Sequence, residues 1–268
     1  MDKIQALKEL LQKIPGAVIA YSGGVDSTFL AVMAHEVLGN KALAVTAVSP
    51  TYPEQQLSEA EALAEKFGLA HKVIQTNEFE DTHYVANPAN RCYYCKLSLF
   101  KDLCRIADEK GWVVLDGANV DDLSDHRPGH QAAKEMGVRS PLQEAGLSKQ
   151  DIRDFSREKS LPTWNKPAYA CLASRIPYGS KITPENLKRI DRAENFLNDL
   201  GFTQFRVRDH FPIARIEVSV EQLDMAWQNR EKISAKLHEL GFTYVTLDLD
   251  GFRSGSMNET LKILENHF

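Results

Sequence analysis

The sequence predicts an α/β protein in which a parallel sheet, covered by helices on both faces, is followed by a smaller α/β domain. Over the first 160 residues short apolar runs alternate with longer helical patterns, which is typical of a parallel sheet. The apolar runs lack a polar alternate face, so we expect strands that are buried on both sides. A stretch rich in Pro, Gly, Ser and Tyr at 161–180 precedes a change of pattern. We therefore predict a first domain over 1–165 and a second over 166–268.

The elements of the first domain follow from periodicity and from capping residues. Residues 1–16 have the spacing of an amphipathic helix. Buried strands are predicted at 17–21, 42–48, 71–76 and 112–116, and helices near 26–38, 54–67 and 92–110. Ser148 stands at the N-cap position of a further helix, which we expect to end near Lys159.

The second domain begins with a capped helix. Thr183 is followed by Pro184, and proline is favoured at the first helical position, so a helix is predicted from there to about residue 200. Two strands are predicted at 204–209 and 214–218, followed by a helix near 221–240 and a strand at 244–249.

Composition limits the classes of function. The chain has 268 residues with 43% hydrophobic residues, and its net charge of −5 argues against a broad basic surface that coats nucleic acid. No apolar run approaches the roughly 20 residues of a membrane span, and the first residues lack the apolar core of a signal peptide. We therefore expect a cytoplasmic protein without a nucleic-acid or membrane partner. In that compartment the four cysteines are expected to bind metals or do chemistry rather than form structural disulfides.

A glycine-rich loop follows the first predicted strand and opens a helix. Its residues are Tyr21, Ser22, Gly23, Gly24, Val25, Asp26 and Ser27. Glycines let the backbone approach an anion, and the amides at the start of the helix add donors and the positive end of its dipole. Asp26 is suited to hold Mg²⁺ against bound phosphates. A bare Gly-Gly turn often has no ligand, but a complete strand–SGGxDS–helix unit is far more specific.

This motif resembles the pyrophosphatase loop (PP-loop) of the adenine-nucleotide α-hydrolase-like superfamily, which includes GMP synthetase, NAD synthetase and tRNA thiolases. The resemblance implies that the loop binds ATP and retains the pyrophosphate released when AMP is transferred. The loop lacks the lysine of GxxxxGK[ST], which disfavours γ-phosphoryl transfer. In an open sheet the ligand lies at the carboxyl ends of the strands, so Ser49, Gly117 and Arg127 are expected on the same rim.

The cysteines suggest a metal site. Cys92 and Cys95 are three residues apart in the stretch RCYYCK, which is compatible with a redox pair, half a zinc site or part of an iron–sulfur site. On a helix the two sulfurs share a face, whereas Cys104 lies half a turn away and is expected in the core. Cys171 is the better third ligand, although a cysteine in a turn can also be a small hydrophobe. Three thiolates with an open fourth position suit a 4Fe–4S cluster.

Taken together, the motifs resemble the LarE family, the ATP-dependent sulfurtransferases that make the pincer ligand of the nickel cofactor of lactate racemase. The resemblance covers nearly the whole chain. It rests on SGGVDST, on YYCK at 93–96, on VLDGAN, on HRPG and RSPLQEA within 126–145, on TWNKPAYACLASRIPYG at 163–179, on FRVRDHFPIARIEV at 205–218 and on YVTLDLDGFRSGSMN at 244–258.

The resemblance implies a two-step reaction on a small nucleotide substrate. ATP, with Mg²⁺, adenylates a carboxylate of pyridinium-3,5-biscarboxylic acid mononucleotide, and a sulfur species at the position of Cys171 then forms a thiocarboxylate. Some family members have only that cysteine and sacrifice its sulfur. Because this chain also has Cys92 and Cys95, it resembles the type in which three cysteines hold a 4Fe–4S cluster that carries a sulfide. Sulfide or another sulfur donor is then required, and the relatives assemble as homo-oligomers.

Further residues carry over from the family. Those matching positions near the substrate phosphate and the acyl phosphate are Lys96, Ser174, Arg175, Arg206 and Arg208. Arg206 joins Cys171 and Asp26 as an expected catalytic residue. Side chains alternate along a strand, so Arg206 and Arg208 are expected on one side of it. Glu194 and Glu217 match positions that assist a divalent ion.

Three other functions fit parts of the sequence. A tRNA thiolase would share the chemistry, but the acidic stretch LDLD and the net charge disfavour it. A non-catalytic nucleotide sensor or zinc module would fail an ATP–pyrophosphate exchange assay. An ammonia-using ligase would normally bring a glutaminase nucleophile motif, which the sequence lacks.

Overall fold

In the computed structural model the chain forms two compact units. The structure describes residues 2–124, 128–167, 170–253 and 255–259. The first unit consists of the described residues of Met1–Tyr84 and Asn90–Tyr169, and the second of those of Val85–Ala89 and Ala170–Phe268. Arg127, expected on the rim of the sheet, lies outside the described residues.

The first unit contains a parallel sheet, as the sequence predicts. Its strands are β1 (Ala17–Ala20), β2 (Ala42–Val48), β3 (Ala70–Gln75) and β4 (Val113–Leu115), in the order β3-β2-β1-β4 with every pair parallel. The helices are α1 (Lys3–Gln12), α2 (Val25–Leu38), α3 (Glu54–Lys66), α4 (Thr82–Val85), α5 (Arg91–Lys110), α6 (Pro128–Glu135), α7 (Pro141–Glu144) and α8 (Lys149–Glu158). The α/β class is therefore confirmed.

Helices cover both faces of this sheet because successive strand residues point to opposite sides. Ile19 of β1 packs in a cluster with Phe29 and Met33 of α2. Val18, its neighbour, packs in a second cluster that includes Phe100 and Leu103 of α5. Strand β1 is therefore buried on both faces, which explains its continuous apolar sequence.

The strand order places a topological switch point at the carboxyl ends of β1 and β4. The chain runs from β1 outward to β3 and then crosses to β4 on the other side of β1. Loops that leave neighbouring strands in opposite directions open a ligand site at such a point. The two loops do come together here: a Cβ atom on Gly117 would lie 3.2 Å from the backbone nitrogen of Ser27.

The second unit contains a three-stranded mixed sheet. Its elements are α9 (Pro184–Asp199), β5 (Phe205–His210), β6 (Ile213–Val218), α10 (Leu223–Gln228), α11 (Arg230–Glu239) and β7 (Tyr244–Leu247). Strand β6 lies in the centre, antiparallel to β5 and parallel to β7. Leu197 and Leu237, from helices α9 and α11, pack with Val207 and Ile216 of the sheet.

Two predicted elements of the second unit differ from the structure. The single helix predicted near 221–240 is wrong, because the chain breaks between α10 and α11 at Asn229 (φ −95°, ψ 9°). The Asn229 amide donates to the carbonyl of Met225 at 2.9 Å, the kind of local bond with which asparagine ends a helix. The last strand ends at Leu247, two residues early, because Asp248 accepts a hydrogen bond from the amide of Asp250 and starts a turn.

Both predicted helix caps are present. The Ser148 hydroxyl accepts from the amide of Asp151, and the Asp151 carboxylate accepts in return from the amide of Ser148. Thr183 caps α9 in the same way with Asn186. Among the described helices, none is both long enough and apolar enough to cross a membrane.

Candidate active site

The glycine-rich loop turns sharply from β1 into α2. Gly23 has φ +66°, and a Cβ atom there would lie 2.9 Å from the Cβ of Ala60 on α3. Both facts require glycine at this position. Gly24 is the N-cap of α2, and no side chain caps the helix there. The first amides of α2 are therefore available to an anion at this turn.

Two serine hydroxyls close the loop. The Ser22 amide donates to Ser27 Oγ at 3.2 Å, and the two hydroxyl oxygens are 3.1 Å apart. Ser27 is buried in the first turn of α2. The loop is therefore held by its own side chains, and both hydroxyls lie at the amino end of the helix.

Asp26 is engaged by two side chains from distant parts of the sequence. Lys149, the first residue of α8, forms a salt bridge to its Oδ2. Asn119, after β4, brings its amide nitrogen to 3.5 Å from Oδ1. Sequence reasoning missed Lys149, whose only signal is its place directly after the predicted N-cap Ser148.

A second lysine reaches the same loop. Lys166 donates to the carbonyl of Gly23 at 3.2 Å and pairs with Glu59 of α3 at 2.7 Å. This residue was also missed. It lies in the stretch at 163–179 that carries the family resemblance. That motif marks the segment, but hydrophobic periodicity does not reveal that its lysine contacts the glycine loop.

The segment after β2 is fastened to the glycine loop. Ser49 is buried, with its hydroxyl 2.7 Å from that of Thr51, which donates to Glu78 at 3.2 Å. Tyr52 donates its hydroxyl to the carbonyl of Ser22 at 2.9 Å. Burial, aided by nearby Tyr21 and Glu59, raises the pKa of Tyr52, so it stays a neutral donor. The sheet thus brings the segments of Ser49 and Gly117 to the loop.

Cys92 and Cys95 lie within the first five residues of α5, after the N-cap Asn90. Cys92 is exposed and Cys95 half-buried, and their spacing places both on one helical face. Lys96 extends its ammonium over the ring of Phe100 at 5.4 Å. The spacing therefore places both thiols on one face of α5, and Lys96 follows directly in the sequence.

Cys104 packs against the core, as predicted. It is half-buried beside the cluster around Phe100, and its thiol donates to the carbonyl of Met136 at 3.6 Å. Burial, with a smaller contribution from Asp108, raises the pKa of this thiol. Its thiolate is therefore disfavoured.

Cys171, in the second unit, is exposed and begins a short 3-10 turn, Leu172–Arg175. The fully buried guanidinium of Arg175 donates to the carbonyls of Ala170 and Cys171 and to the hydroxyl of Ser174. It also forms a bidentate pair with Glu194, at 2.9 and 2.7 Å. This arginine therefore fixes the backbone that presents Cys171.

Arg206 and Arg208 differ in environment. Arg208 is buried, pairs with Glu217 at 2.7 Å and donates to the carbonyl of Ser174 at 3.1 Å. Arg206 is half-buried, with its guanidinium 5.1 Å from the ring of Phe252. The structure thus brings Arg208 to the Cys171 turn, and phosphate binding by the two arginines stays a prediction.

The expected metal role of Glu194 and Glu217 is not favoured by their contacts. Glu194 is matched by Arg175 and accepts the amide of Val207 at 3.0 Å. Glu217 is matched by Arg208 and also accepts from Arg215 at 3.0 Å. Two carboxylates already neutralised by arginine are poor partners for a cation. Over the described parts of the chain, no group of three or more His, Cys, Asp or Glu side chains is arranged to hold a metal ion.

Comparison with known proteins identifies the family. Residues 2–88, which include the glycine loop, match the NAD synthase family. An uncharacterised protein of Synechocystis is 47% identical over 97% of this chain and 98% of its own length. The pyridinium-3,5-bisthiocarboxylic acid mononucleotide synthase of Lactiplantibacillus plantarum is 40% identical over 96% of this chain and 93% of its own.

A more distant similarity extends to a subunit of GMP synthase. One subunit of the glutamine-hydrolysing GMP synthase of Thermoplasma acidophilum is 26% identical over 73% of this chain and 67% of its own length. The near full-length similarity to the Lactiplantibacillus enzyme, together with the PP-loop at the carboxyl ends of a parallel sheet, decides the assignment. The chain therefore belongs to the LarE family of PP-loop proteins and is an ATP-dependent sulfurtransferase.

Proposed function

We propose that this enzyme adenylates a carboxylate of pyridinium-3,5-biscarboxylic acid mononucleotide and converts it into a thiocarboxylate for nickel-pincer cofactor synthesis. The observation that carries the proposal is the 40% identity, over nearly the full length of both chains, to an enzyme named for the bisthiocarboxylic product. Two rounds on one substrate molecule give that product.

ATP binds at the glycine loop with its β- and γ-phosphates on the amides that begin α2. Residues proposed to bind ATP are Ser22, Gly23, Gly24, Asp26, Ser27, Ser49 and Gly117. The positive φ of Gly23 and the uncapped amino end of α2 support this orientation. Asp26 holds the Mg²⁺ that accompanies ATP, since its carboxylate lies in the same turn.

The first step makes the carboxylate a better acyl donor. A carboxylate oxygen of the substrate forms a bond to the α-phosphorus while the bond from that phosphorus to the β-bridging oxygen breaks. The electron pair leaves on pyrophosphate, and no proton moves. Sulfur can displace AMP from the acyl-adenylate, whereas it cannot displace oxide from the free carboxylate.

The sulfur step uses Cys92, Cys95 and Cys171 as the three ligands of a 4Fe–4S cluster. Their chemistry fits such a group: two thiols share a face at the start of α5, and the third is exposed at the head of a fixed turn. Such a cluster would supply a replaceable sulfide. The bond from sulfide to the acyl carbon would form as the bond from that carbon to the AMP oxygen breaks, and the electron pair would leave on AMP. Arg175 holds the turn of Cys171 by its carbonyl contacts.

Substrate phosphate and acyl phosphate are bound by Lys96, Ser174, Arg206 and Arg208. The contact of Arg208 with the carbonyl of Ser174 supports a common site for these two. Arg175 and Glu194 act by holding the turn, and Glu217 acts by holding Arg208. The family resemblance further suggests a cytoplasmic homo-oligomer supplied with sulfide or a sulfur donor.

The adenylation proposal is tested with Asp26→Ala. With the pyridinium substrate and Mg·ATP, this variant should lose formation of AMP and pyrophosphate by at least about a hundredfold, because the metal ligand next to the leaving group is gone. Asp154→Ala is the control, since Asp154 forms an exposed pair with Arg157 on α8. Normal pyrophosphate release by Asp26→Ala would contradict the role of Asp26, and a wild type inactive on this substrate would contradict the substrate.

A further inference from the structure

We propose that Lys149 and Lys166 are the cationic residues that stabilise the leaving pyrophosphate, a role for which the glycine loop has no lysine of its own. The inference rests on the proposed ATP site. Both lysines lie in the first unit and bring their ammonium groups to the loop, one to Asp26 and one to Gly23.

Lys149 is held where its side chain reaches the start of α2. It is the first residue of α8, whose beginning is fixed by the Ser148 capping box, and its own amide donates to Asp121 at 2.9 Å. Its side chain is 31% exposed and forms a salt bridge with Asp26. The ammonium thus lies beside the turn that is proposed to bind the phosphates.

Lys166 reaches the loop from the segment that follows α8. Arg153 donates to the carbonyls of Trp164 and Lys166, at 2.8 and 3.1 Å, and so fixes the backbone of this segment. The Lys166 side chain is 19% exposed, and its ammonium donates to the Gly23 carbonyl at 3.2 Å. A neutral carbonyl is a weak partner for an ammonium group, and a phosphate oxygen can take its place.

The balance of charge explains why two lysines stand here. Each ammonium is matched by one carboxylate, Asp26 for Lys149 and Glu59 for Lys166. When Mg²⁺ occupies Asp26, like-charge repulsion turns Lys149 away from that carboxylate and toward the phosphates. As the bond between the α-phosphorus and the bridging oxygen breaks, negative charge grows on pyrophosphate. Fixed cations at that place stabilise the transition state more than the bound substrate.

The same two helices contain a second salt bridge, which serves as a control for a purely structural role of Lys149. Lys159, at the other end of α8, pairs with Glu36 of α2 at 2.7 Å, and its side chain is 30% exposed. This pair ties α8 to α2 as the Lys149–Asp26 pair does. It lies about 15 Å along the helix from Lys149, because ten residues rise roughly 1.5 Å each. Lys159→Met is therefore the control for loss of a helix–helix salt bridge.

The experiment compares Lys149→Met, Lys166→Met and Lys159→Met in the full chain. Calorimetry with Mg²⁺ measures the binding of pyrophosphate, ATP and AMP, and the pyridinium substrate gives kcat and KM for pyrophosphate release. We expect Lys149→Met and Lys166→Met each to weaken pyrophosphate and ATP at least about tenfold and to lower kcat more than they raise KM. AMP binding and every parameter of Lys159→Met should stay within about twofold. Lys149→Arg should recover part of the kcat, because the charge is kept.

Unchanged pyrophosphate binding in both variants would overturn the proposal. So would an equal loss of AMP binding, which indicates collapse of the pocket, or an equal loss in Lys159→Met, which indicates a structural role. A wild type that binds pyrophosphate through both lysines yet leaves the pyridinium substrate unchanged would support the lysines and contradict only the proposed substrate.

Discussion

Arg175 is a single buried side chain that fixes the backbone at Ala170 and Cys171. It donates hydrogen bonds to the turn of Cys171 and to Glu194, and none of its surface is exposed. A buried ion pair adds little net stability, but the loss of one partner leaves an uncompensated charge. The pair is therefore better explained by what it positions, the backbone at Ala170 and Cys171.

Paired substitutions separate positioning from stability. Arg175→Met alone should lower the free energy of unfolding by about 3 kcal/mol, because Glu194 stays charged and buried. Arg175→Met with Glu194→Gln should recover most of that loss, since glutamine still accepts the amide of Val207. In the double variant pyrophosphate release should persist while thiocarboxylate formation falls at least about tenfold. Urea unfolding and product analysis measure the two effects, and sulfur transfer at the wild-type rate would show that the turn does not depend on the pair.

At this scale the sequence revealed only the local part of the site. Ser22 and Asp26 lie within one contiguous motif, so their proximity follows from the chain itself. Lys149 lies 123 residues from Asp26 along the chain, and only the packing of α8 on α2 brings them together. The ion pair of Arg208 with Glu217 was likewise hidden, because alternation gives only the face of a strand. Glu217 lies opposite Arg206 across the sheet and pairs diagonally with Arg208.

At the scale of elements, helix α8 is positioned by its first turn. The capping box of Ser148 and Asp151 fixes where the helix begins, and a salt bridge joins Asp151 to Lys3 of α1 at 2.6 Å. The Lys3 ammonium, aided by the Ser148 hydroxyl and amide, lowers the pKa of Asp151 to about 2. The contacts of the Asp151 carboxylate thus help to hold the first turn of α8, which carries Lys149.

Replacing Asp151 with Asn should produce a stability loss that depends on pH. A carboxyl group with a depressed folded-state pKa stabilises the fold above its unfolded pKa, near 3.9, and loses that contribution as pH falls toward the folded value. The loss should be about 1 kcal/mol or less at pH 7, because the site is largely solvated, and should shrink between pH 5 and pH 3. Chemical denaturation of both proteins at several pH values measures it, with Asp154→Asn as the control. A difference that stays constant down to pH 3 would contradict the assigned cause.

Most elements could be predicted because their signals are local. The strands of the first sheet are continuous apolar runs, and both capped helices begin where a Ser or Thr precedes them. The break at Asn229 was missed since Ala226, Ile233 and Leu237 keep the helical phase of the apolar residues across it. The Asn229 side chain bonds to the carbonyl of Met225 where α10 ends. Short helices such as α4, with four residues, contain too few turns for periodicity to act as a guide.

At the scale of the whole molecule, the three cysteines proposed as cluster ligands belong to different units. Cys92 and Cys95 belong to the first and Cys171 to the second. The segment Val85–Ala89 also belongs to the second unit, although it precedes α5 in the chain. The side-chain amide of Asn87 ties this segment to the rest of the second unit by hydrogen bonds to the carbonyls of Ile176, Pro177 and Ser180. No sequence pattern could predict that this segment belongs to the second unit, because the residues in contact lie about 90 positions apart in the sequence.

Cysteine substitutions test the proposed ligand set of the cluster. After anaerobic reconstitution, Cys92→Ala, Cys95→Ala and Cys171→Ala should each lose the four-iron cluster, whereas Cys104→Ala should keep it, because that thiol faces the core. Iron and sulfide analysis with absorption spectra measures retention, and thermal unfolding checks the fold. Stoichiometric zinc without iron in the wild type, or a cluster that survives Cys171→Ala, would contradict the ligand set.

An anaerobic reaction with ATP, the pyridinium substrate and excess sulfide distinguishes a catalytic enzyme from a sacrificial one. Product, pyrophosphate and the mass of residue 171 are measured in the same reaction. A thiolate held by a cluster keeps its carbon–sulfur bond, so the enzyme should act repeatedly. We predict one pyrophosphate per thiocarboxylate, more than one thiocarboxylate per chain, and an unchanged Cys171 by mass spectrometry. Formation of dehydroalanine at position 171 in step with a single thiocarboxylate per chain would contradict the account.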